Sequence, residues 1–447
     1  MFQLLIVYAL LLLSAVTVEA GTVKLSLKDA LNLALVNNNQ IKAANFTAHA
    51  VQQGIAAANS RYLPAILFEE AFVATNSPSN AFMMKLDESR FNPADFANPD
   101  TVNHPSTRHD FKTAVSIQQA LFEPSLSPLK EMAVKDAYKS ELEREAVRQG
   151  VAFQVFFTYL EVQKADAHRT AADRAVADAR ENMRIATVRT ANGVGLRSDE
   201  LRSRTHLSTV EQQLITAHNN MTLARMKLAL LIGLPDDTTC EISSFSEQIA
   251  LPVMSDQVIS DALLNRVEIR RSHTDLEKTG AALTLAKAGY LPTVGAFASY
   301  QLNGKDAPFS SDNDAWTAGI SLKWNVFDGF RRNSERTRAL SGESAAREML
   351  EATTKEVTYQ LRESYLRRAE ADKRLEVVRH SVADAEETVR LLSKRYENSL
   401  ATMVELLDAQ TALNQARANL IESEAGQALA GGRVYVMTGT FVKEMLK

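Results

Sequence analysis

Ala315-Trp316-Thr317-Ala318-Gly319-Ile320-Ser321-Leu322-Lys323-Trp324-Asn325-Val326-Phe327 is the stretch on which the reading of the fold turns. Trp316, Ala318, Ile320, Leu322, Trp324 and Val326 fall on one parity, with Thr317, Gly319, Ser321, Lys323 and Asn325 on the other. Neighbouring side chains of a strand point to opposite faces, so this is a strand with one apolar face. The eight steps between the tryptophans span about 26 Å at ~3.3 Å per residue. That length suits the apolar band of an outer-membrane barrel, with Trp316 and Trp324 as its aromatic girdle. A soluble hairpin packed on one face would alternate in the same way. The rest of the chain has to decide between them.

The strand has a counterpart. Phe111, Thr113, Val115, Ile117, Gln119 and Leu121 alternate with Lys112, Ala114, Ser116 and Gln118, and Ser116–Phe122 matches Ser321–Phe327. Upstream, Asp29-Ala30-Leu31 returns as Asp261-Ala262-Leu263 and Tyr62-Leu63-Pro64 as Tyr290-Leu291-Pro292. Downstream, the spacing between copies stays constant from Tyr159-Leu160 against Tyr365-Leu366 to Leu201 against Leu407. The chain therefore reads as a tandem duplication, residues 21–240 and 241–447, rather than a set of unrelated domains. Each half opens with an amphipathic helix, Ser26 to Arg61 and Ser255 to Gly289, that ends at Tyr-Leu-Pro. Proline lacks the N–H a helix needs and biases its predecessor to extended geometry, so the chain switches to strand there. The incoming strands fall near Ala65 to Thr75 and Thr293 to Leu302, and polar segments, Asn76 to Asp110 and Asn303 to Asp314, link each pair as solvent loops.

After each strand pair comes a long helix, a turn and a second helix. From Ser125 to Ala191 the only helix breakers are Pro128 and Gly150, which implies a helix of roughly 100 Å. In the second half Leu375, Val378, Val382, Ala385, Val389, Leu392 and Tyr396 alternate spacings of three and four, a heptad seam. Ala172, Val176, Ala179, Met183 and Ala186 repeat it in the first half with smaller residues. The fold class is mainly α with a membrane β-barrel: long antiparallel coiled-coil helices plus four β-strands per chain.

Composition narrows the function. The 447 residues carry 50 Lys+Arg against 54 Asp+Glu, a net charge of −4, too balanced for nucleic-acid binding by phosphate neutralisation. Mean hydropathy is −0.17, which excludes a polytopic helical membrane protein, and any membrane entry must be by β-strands. The apolar run Leu4 to Val16 followed by Val18-Glu19-Ala20 reads as a signal peptide, residues 1–20, cut before Gly21. Cys240 is the single cysteine, and the eight histidines form no HExxH pattern. Gly193-Val194-Gly195 lacks the third glycine of a dinucleotide fingerprint and follows a helix. No enzyme, cofactor or metal site is expected.

Four strands cannot close a barrel, and lipid does not tolerate open strand edges, so several copies must pool their strands. At this point the sequence resembles the TolC-type outer-membrane efflux proteins over nearly all of its mature length. The matching features are the duplicated halves, both Tyr-Leu-Pro motifs, Phe122-Glu123-Pro124, Phe327-Asp328-Gly329, and the hairpin segments Asn192–Leu196 and Tyr396–Ala409. The resemblance implies a homotrimer in the outer membrane, with a 12-stranded β-barrel continuous with a 12-helix periplasmic barrel. It implies an exit duct for efflux or type I secretion, opened by a periplasmic adaptor protein and an inner-membrane pump. The family's acidic gate motif stands here as Glu405-Leu406-Leu407-Asp408, which makes Glu405 and Asp408 the expected ring residues. Glu replaces the family's first Asp, and Ala401 stands where some members have an Arg. Tyr396 matches a latch tyrosine, although its place in the heptad seam makes it equally a core residue. A carboxylate at Glu405 also suits a helix N-terminus. Gly193, Val194, Gly195 and Leu196, with Ser399, Leu400, Ala401 and Thr402, are the expected adaptor-contact tips. A soluble periplasmic coiled-coil adaptor is the alternative reading.

Overall fold

The structure is a computed structural model and describes residues 23–97, 99–235, 240–243, 250–310 and 313–446. The expected signal peptide lies outside the described residues. Two compact units form, one from Met1–Thr47, Glu141–Arg271 and Glu351–Lys447, the other from Ala48–Ser140 and Ser272–Leu350, so each draws on both halves of the chain.

In the first unit, β1 (Val23–Leu25) pairs in parallel with β4 (Cys240–Ile242). Helix α1 (Leu27–Asn37) starts at a capping box, with Ser26 and Asp29 satisfying each other's backbone N–H groups. Its face Leu27, Ala30, Leu31 and Ala34 is buried in one core with Val155, Phe156 and Tyr159 of α5 (Leu126–Ala191) and Leu228 and Ile232 of α6 (Arg197–Ile232). Each large side chain buried there contributes about 2–3 kcal/mol. The Tyr159 hydroxyl donates to Ser243 O at 2.6 Å and lies 3.1 Å from Leu25 O, so its one proton is shared between the residues at the ends of β1 and β4. Pro128 falls in the first turn of α5, where a missing N–H costs nothing.

The single helix expected over Ser26 to Arg61 is two. Asn38 adopts extended geometry, φ −62° and ψ 128°, between α1 and α2 (Asn39–Ser60). Its side chain accepts from Gln40 N–H at 2.9 Å, which caps α2, and donates to Leu231 O at 2.9 Å. The second half breaks at the same place: Arg266, φ −63° and ψ 127°, separates α7 (Asp256–Asn265) from α8 (Val267–Ala288). A helix end docks on each break. Gly233, left-handed after α6, sits so close to Asn37 that a Cβ would lie 2.8 Å from it, and Gly439, left-handed after α10 (Met403–Thr438), abuts Asn265 at 3.1 Å. A short helix α11 (Phe441–Met445) follows and places Phe441 in the core.

The two helical hairpins carry matching ties. Arg180 of α5 pairs with Glu211 of α6 at 3.1 Å, and Glu386 of α9 (Arg331–Glu397) pairs with Arg417 of α10 at 2.9 Å. Both members of the second pair lie 206 residues after their counterparts, so the position is shared and the charges are exchanged. The heptad seam holds: Leu375, Val382 and Tyr396 are buried and the residues between them half-buried.

In the second unit, Tyr62-Leu63-Pro64 and Tyr290-Leu291-Pro292 turn the chain into β2 (Ala65–Thr75) and β5 (Thr293–Gly304). With β3 (Arg108–Phe122) and β6 (Asn313–Lys323) they form an antiparallel sheet in the order β2-β3-β5-β6. The register places Phe68, Val115, Tyr300 and Trp316 across one face, continued by Ile66, Ile117 and Ile320. Glu69, Lys112, Ser116, Gln301 and Thr317 share the other. Ion pairs tie α5 to α8 within this unit, Lys135–Glu277 and Lys139–Asp275 at 2.7 Å and Lys278–Asp136 at 2.6 Å. The segment after β2 is not the plain solvent loop expected from its polarity. It holds α3 (Pro78–Asp87), a 3-10 turn at Pro93–Phe96 and the single turn α4 (Pro99–Asn103).

Candidate functional site

The tips of the two hairpins carry the residues expected at the gate. After α5 the amide N–H groups of Val194 and Gly195 both donate to Arg189 O at 3.0 Å. Gly193 has φ +72°, and a Cβ on Gly195 would lie 2.9 Å from the Arg189 backbone, so glycine relieves strain at the first place and a close approach at the second in this turn. After α9 the same turn recurs 206 residues on: Leu400 N–H donates to Arg395 O, and Ser399 takes the left-handed conformation at φ +61°. Thr402 then caps α10. Its hydroxyl accepts from Glu405 N–H, and the Glu405 carboxylate accepts from the Thr402 N–H at 2.7 Å and from its hydroxyl at 2.9 Å. Those bonds hold the exposed Glu405 carboxyl below the usual glutamate range.

The structure joins the two tips through a residue the sequence did not single out. Arg189, in the last turn of α5, lays its guanidinium over the Tyr396 ring, 5.0 Å from the centroid. Its Nη1 donates to Tyr396 O and Glu397 O at 3.0 Å each, and its Nη2 to Ser399 Oγ at 2.7 Å. The last carbonyls of a helix have no partner within it, so this cation caps the α9 terminus from the other hairpin. Beneath it Ala186, Tyr396, Met403 and Leu406 are buried together, with Ile185, Leu392, Ala401 and Leu407 against them. Asn182 donates to Gln410 Oε1 at 2.7 Å and extends the tie from α5 to α10. Burial raises the Tyr396 phenol, and the Asp199 carboxylate adds to this.

The expected residues fall into three groups. Tyr396 is both seam residue and partner of Arg189. Glu405 and Asp408 are exposed, three residues apart on α10, with Glu405 also serving the helix cap. At the tips Val194, Leu196 and Leu400 expose 68, 66 and 67% of their surface, whereas Ala401 lies half-buried against the apolar cluster. Of the girdle pair, Trp316 stands in β6, 75% exposed on the apolar face opposite Tyr300. Trp324 lies one residue beyond β6, which ends at Lys323 rather than Phe327, and its indole donates to Tyr290 O at 3.2 Å. Once the indole is engaged outside the ladder, the chain turns towards α9, where Arg332 donates to Val326 O at 3.0 Å.

A sheet with one apolar face and two unpaired edges, carried on a chain of paired long helices, defines the class: a subunit of an outer-membrane duct. Residues 30–234 and 258–440 match the outer membrane efflux protein family, and the chain belongs to it. Its place is the outer membrane, and the soluble-adaptor alternative falls away. Nodulation protein T of Rhizobium leguminosarum bv. trifolii is 22% identical over 251 residues, 54% of this chain and 52% of that protein. Fusaric acid resistance protein FusA of Burkholderia cepacia is 26% identical over 212 residues, 46% of this chain and 38% of that one. The chain thus spans about half the length, or less, of the curated relatives it matches. Among solved structures it is similar to CusC, with TM-score 0.77, 16% identity and 95% of each chain covered. CmeC of Campylobacter jejuni gives TM-score 0.77 and 17% identity, covering 94% of this chain and 89% of that one. VceC of Vibrio cholerae gives 0.73 and 17%, covering 92 and 96%. At these identities the likeness is one of fold.

Proposed function

We propose that the chain is one protomer of a passive exit duct whose transport energy is supplied by other proteins. The observation that carries this reading is the β2-β3-β5-β6 sheet with its apolar face and its two edge strands. Edges are not tolerated in lipid, so β6 of one copy takes β2 of the next. Three copies give twelve strands, the homotrimer that the resemblance implies, and the hairpins of three copies then enclose the periplasmic passage. The repeat boundary at 240/241 separates two equivalent strand-pair and hairpin units.

The hairpin tips act as the gate. Arg189 holds α9 to α5 in the closed state, and Glu405 and Asp408 line the passage as threefold carboxylate rings that attract cations. Val194, Leu196 and Leu400, with Gly193, Gly195, Ser399, Ala401 and Thr402 shaping the turns, offer the apolar contacts on which a periplasmic adaptor docks, coupled to an inner-membrane pump. No catalytic step is assigned to the chain. The name of FusA, a fusaric acid resistance protein, fits small organic cargo chosen by the pump. Membrane fractionation followed by an unheated denaturing gel tests the reading: an outer-membrane trimer is expected, and a soluble monomer overturns it.

A further inference from the structure

We propose that residues 78–97 form an inward-folded cap across the extracellular mouth, so that Met83 and Leu86 of neighbouring copies make a second, apolar constriction of the pore. This rests on the exit-duct reading and adds a barrier to it.

Three observations within the second unit carry the inference. First, α3 packs on β3 and also reaches β6, two strands further along the sheet. A helix that touches both crosses the width of the sheet rather than standing off one edge. Second, two residues buried at that end, Asp110 and Asn303, belong to the polar face, whereas the buried Thr113 of the apolar face is met by the β5–β6 link, its hydroxyl accepting from Phe309 N–H at 3.3 Å. Asp110 and Asn303 share the parity of Lys112 and Gln301, yet only 5 and 3% of their surface is exposed. The Asp110 carboxylate accepts from Asn303 Nδ2 at 2.7 Å and from Gly304 N–H at 3.2 Å. A face that is polar in a barrel of this kind is the lumenal one. The cap therefore lies on the lumen side. Phe309 of the β5–β6 link behaves in the opposite way, stacking on Phe68 of the apolar face at 6.2 Å. Third, the cap is braced. Lys85 pairs with Asp95, Phe82 meets Phe91 edge-on at 5.2 Å, and Glu88 is buried with Arg90 bonded to it at 3.0 Å.

On this braced helix Met83 and Leu86 remain 52 and 38% exposed, one helical turn apart on one face. An apolar pair held out from a cap over a water-filled mouth, repeated around a threefold axis, is a hydrophobic constriction, which resists ions by dewetting and large solutes by size.

Two readouts on the M83C and L86C variants of the full chain test this, and the native Cys240 is buried and leaves a silent wild-type background. Oxidation with copper phenanthroline in outer membranes should convert most M83C chains to disulfide-linked dimers, while D306C, on the outward loop, stays monomeric. A methanethiosulfonate reagent added to the extracellular side should cut the unit conductance of M83C or L86C by about twofold or more. If neither variant cross-links and the reagent leaves conductance unchanged, the cap does not cross the mouth and the proposal is overturned. Cross-linking in a trimer that never conducts supports the cap geometry and overturns the duct reading instead.

Discussion

Arg189 and Tyr396 lie 207 positions apart in the chain, yet the guanidinium of one covers the ring of the other and bonds its carbonyl oxygen. The contact unites a cation–π interaction, two bonds to the last carbonyls of α9 and one to Ser399. Ser399 is a non-glycine residue at φ +61°, a conformation costing an L-residue roughly 1–2 kcal/mol, and the Arg189 bond helps hold it there. The proposed gate and the strained second turn thus share one side chain.

Replacing Arg189 by Ala removes these contacts together. Charge-assisted bonds at a partly exposed site suggest a loss of about 2 kcal/mol for the closed tip, roughly a thirtyfold shift towards open. Single-channel recording should show longer openings and a larger mean conductance for R189A, with R189K intermediate because an ammonium cannot make the forked contact. Wild-type conductance in R189A would remove Arg189 from the gate.

The two tip glycines should respond differently to alanine. G193A meets open space but a left-handed backbone, for which roughly 1–2 kcal/mol is expected. G195A places a Cβ 2.9 Å from three atoms of Arg189 and Thr190, two of them backbone, so the turn itself must move and Arg189 with it. Thermal unfolding should rank G195A below G193A, and only G195A should reproduce the open-channel behaviour of R189A. Equal effects would mean that the turn does not position the clamp.

The sign of the pH dependence follows from the helix cap. Glu405 titrates below the ordinary glutamate range because it accepts from the Thr402 N–H and hydroxyl. Its charge, and the bonds that need it, are present above the ordinary value and are lost only as pH falls through the lowered one. Block of the channel by hexamminecobalt should therefore persist at pH values where a free glutamate is half protonated. T402A keeps the N–H bond but loses the hydroxyl, so its block should fade at a higher pH than in the wild type. An unmoved midpoint would separate Glu405 from the blocking ring. In E405A and D408A combined, the block should fall at every pH.

Local signals were legible where the physics is local. The alternation from Ala315 onward gave the strand, Tyr-Leu-Pro gave both helix-to-strand switches, and the three-four spacing from Leu375 to Tyr396 gave the buried seam. Thr402-Met403-Val404-Glu405 has the form of a capping box, a local signal beyond the dipole argument that alone supported the helix-terminus reading of Glu405. Two features were hidden because their partners are distant, and a third because its segment is polar. The break at Asn38 depends on Leu231 and the Gly233 turn, and that at Arg266 on Met437 and Gly439. Arg189 looks like an ordinary basic residue closing its own helix, and its repeat counterpart Arg395 bears the same look. The segment at residues 78–97 is polar enough to read as solvent loop, and among the described residues its packing rests on Ala81, the Phe82–Phe91 pair and the buried Glu88.

The proposed girdle of Trp316 and Trp324 can be tested directly because the chain has only two tryptophans. Trp316 sits near one end of β6 opposite Tyr300, with Asn313 and Asp314 two to three residues away at the strand's polar end. Trp324 lies beyond the opposite end, where its indole N–H is already satisfied by Tyr290 O and Arg332 stands over the Tyr290 ring at 5.1 Å. An amphipathic ring with its polar tip engaged rests at the membrane–water boundary. In W316F the remaining Trp324 should be quenched most by lipids brominated near the headgroup, and in W324F the same should hold for Trp316 at the other leaflet. Added extracellular acrylamide should reach Trp316 and spare Trp324. Quenching of either residue by aqueous reagents alone, with none by brominated lipid, would take that strand out of the bilayer.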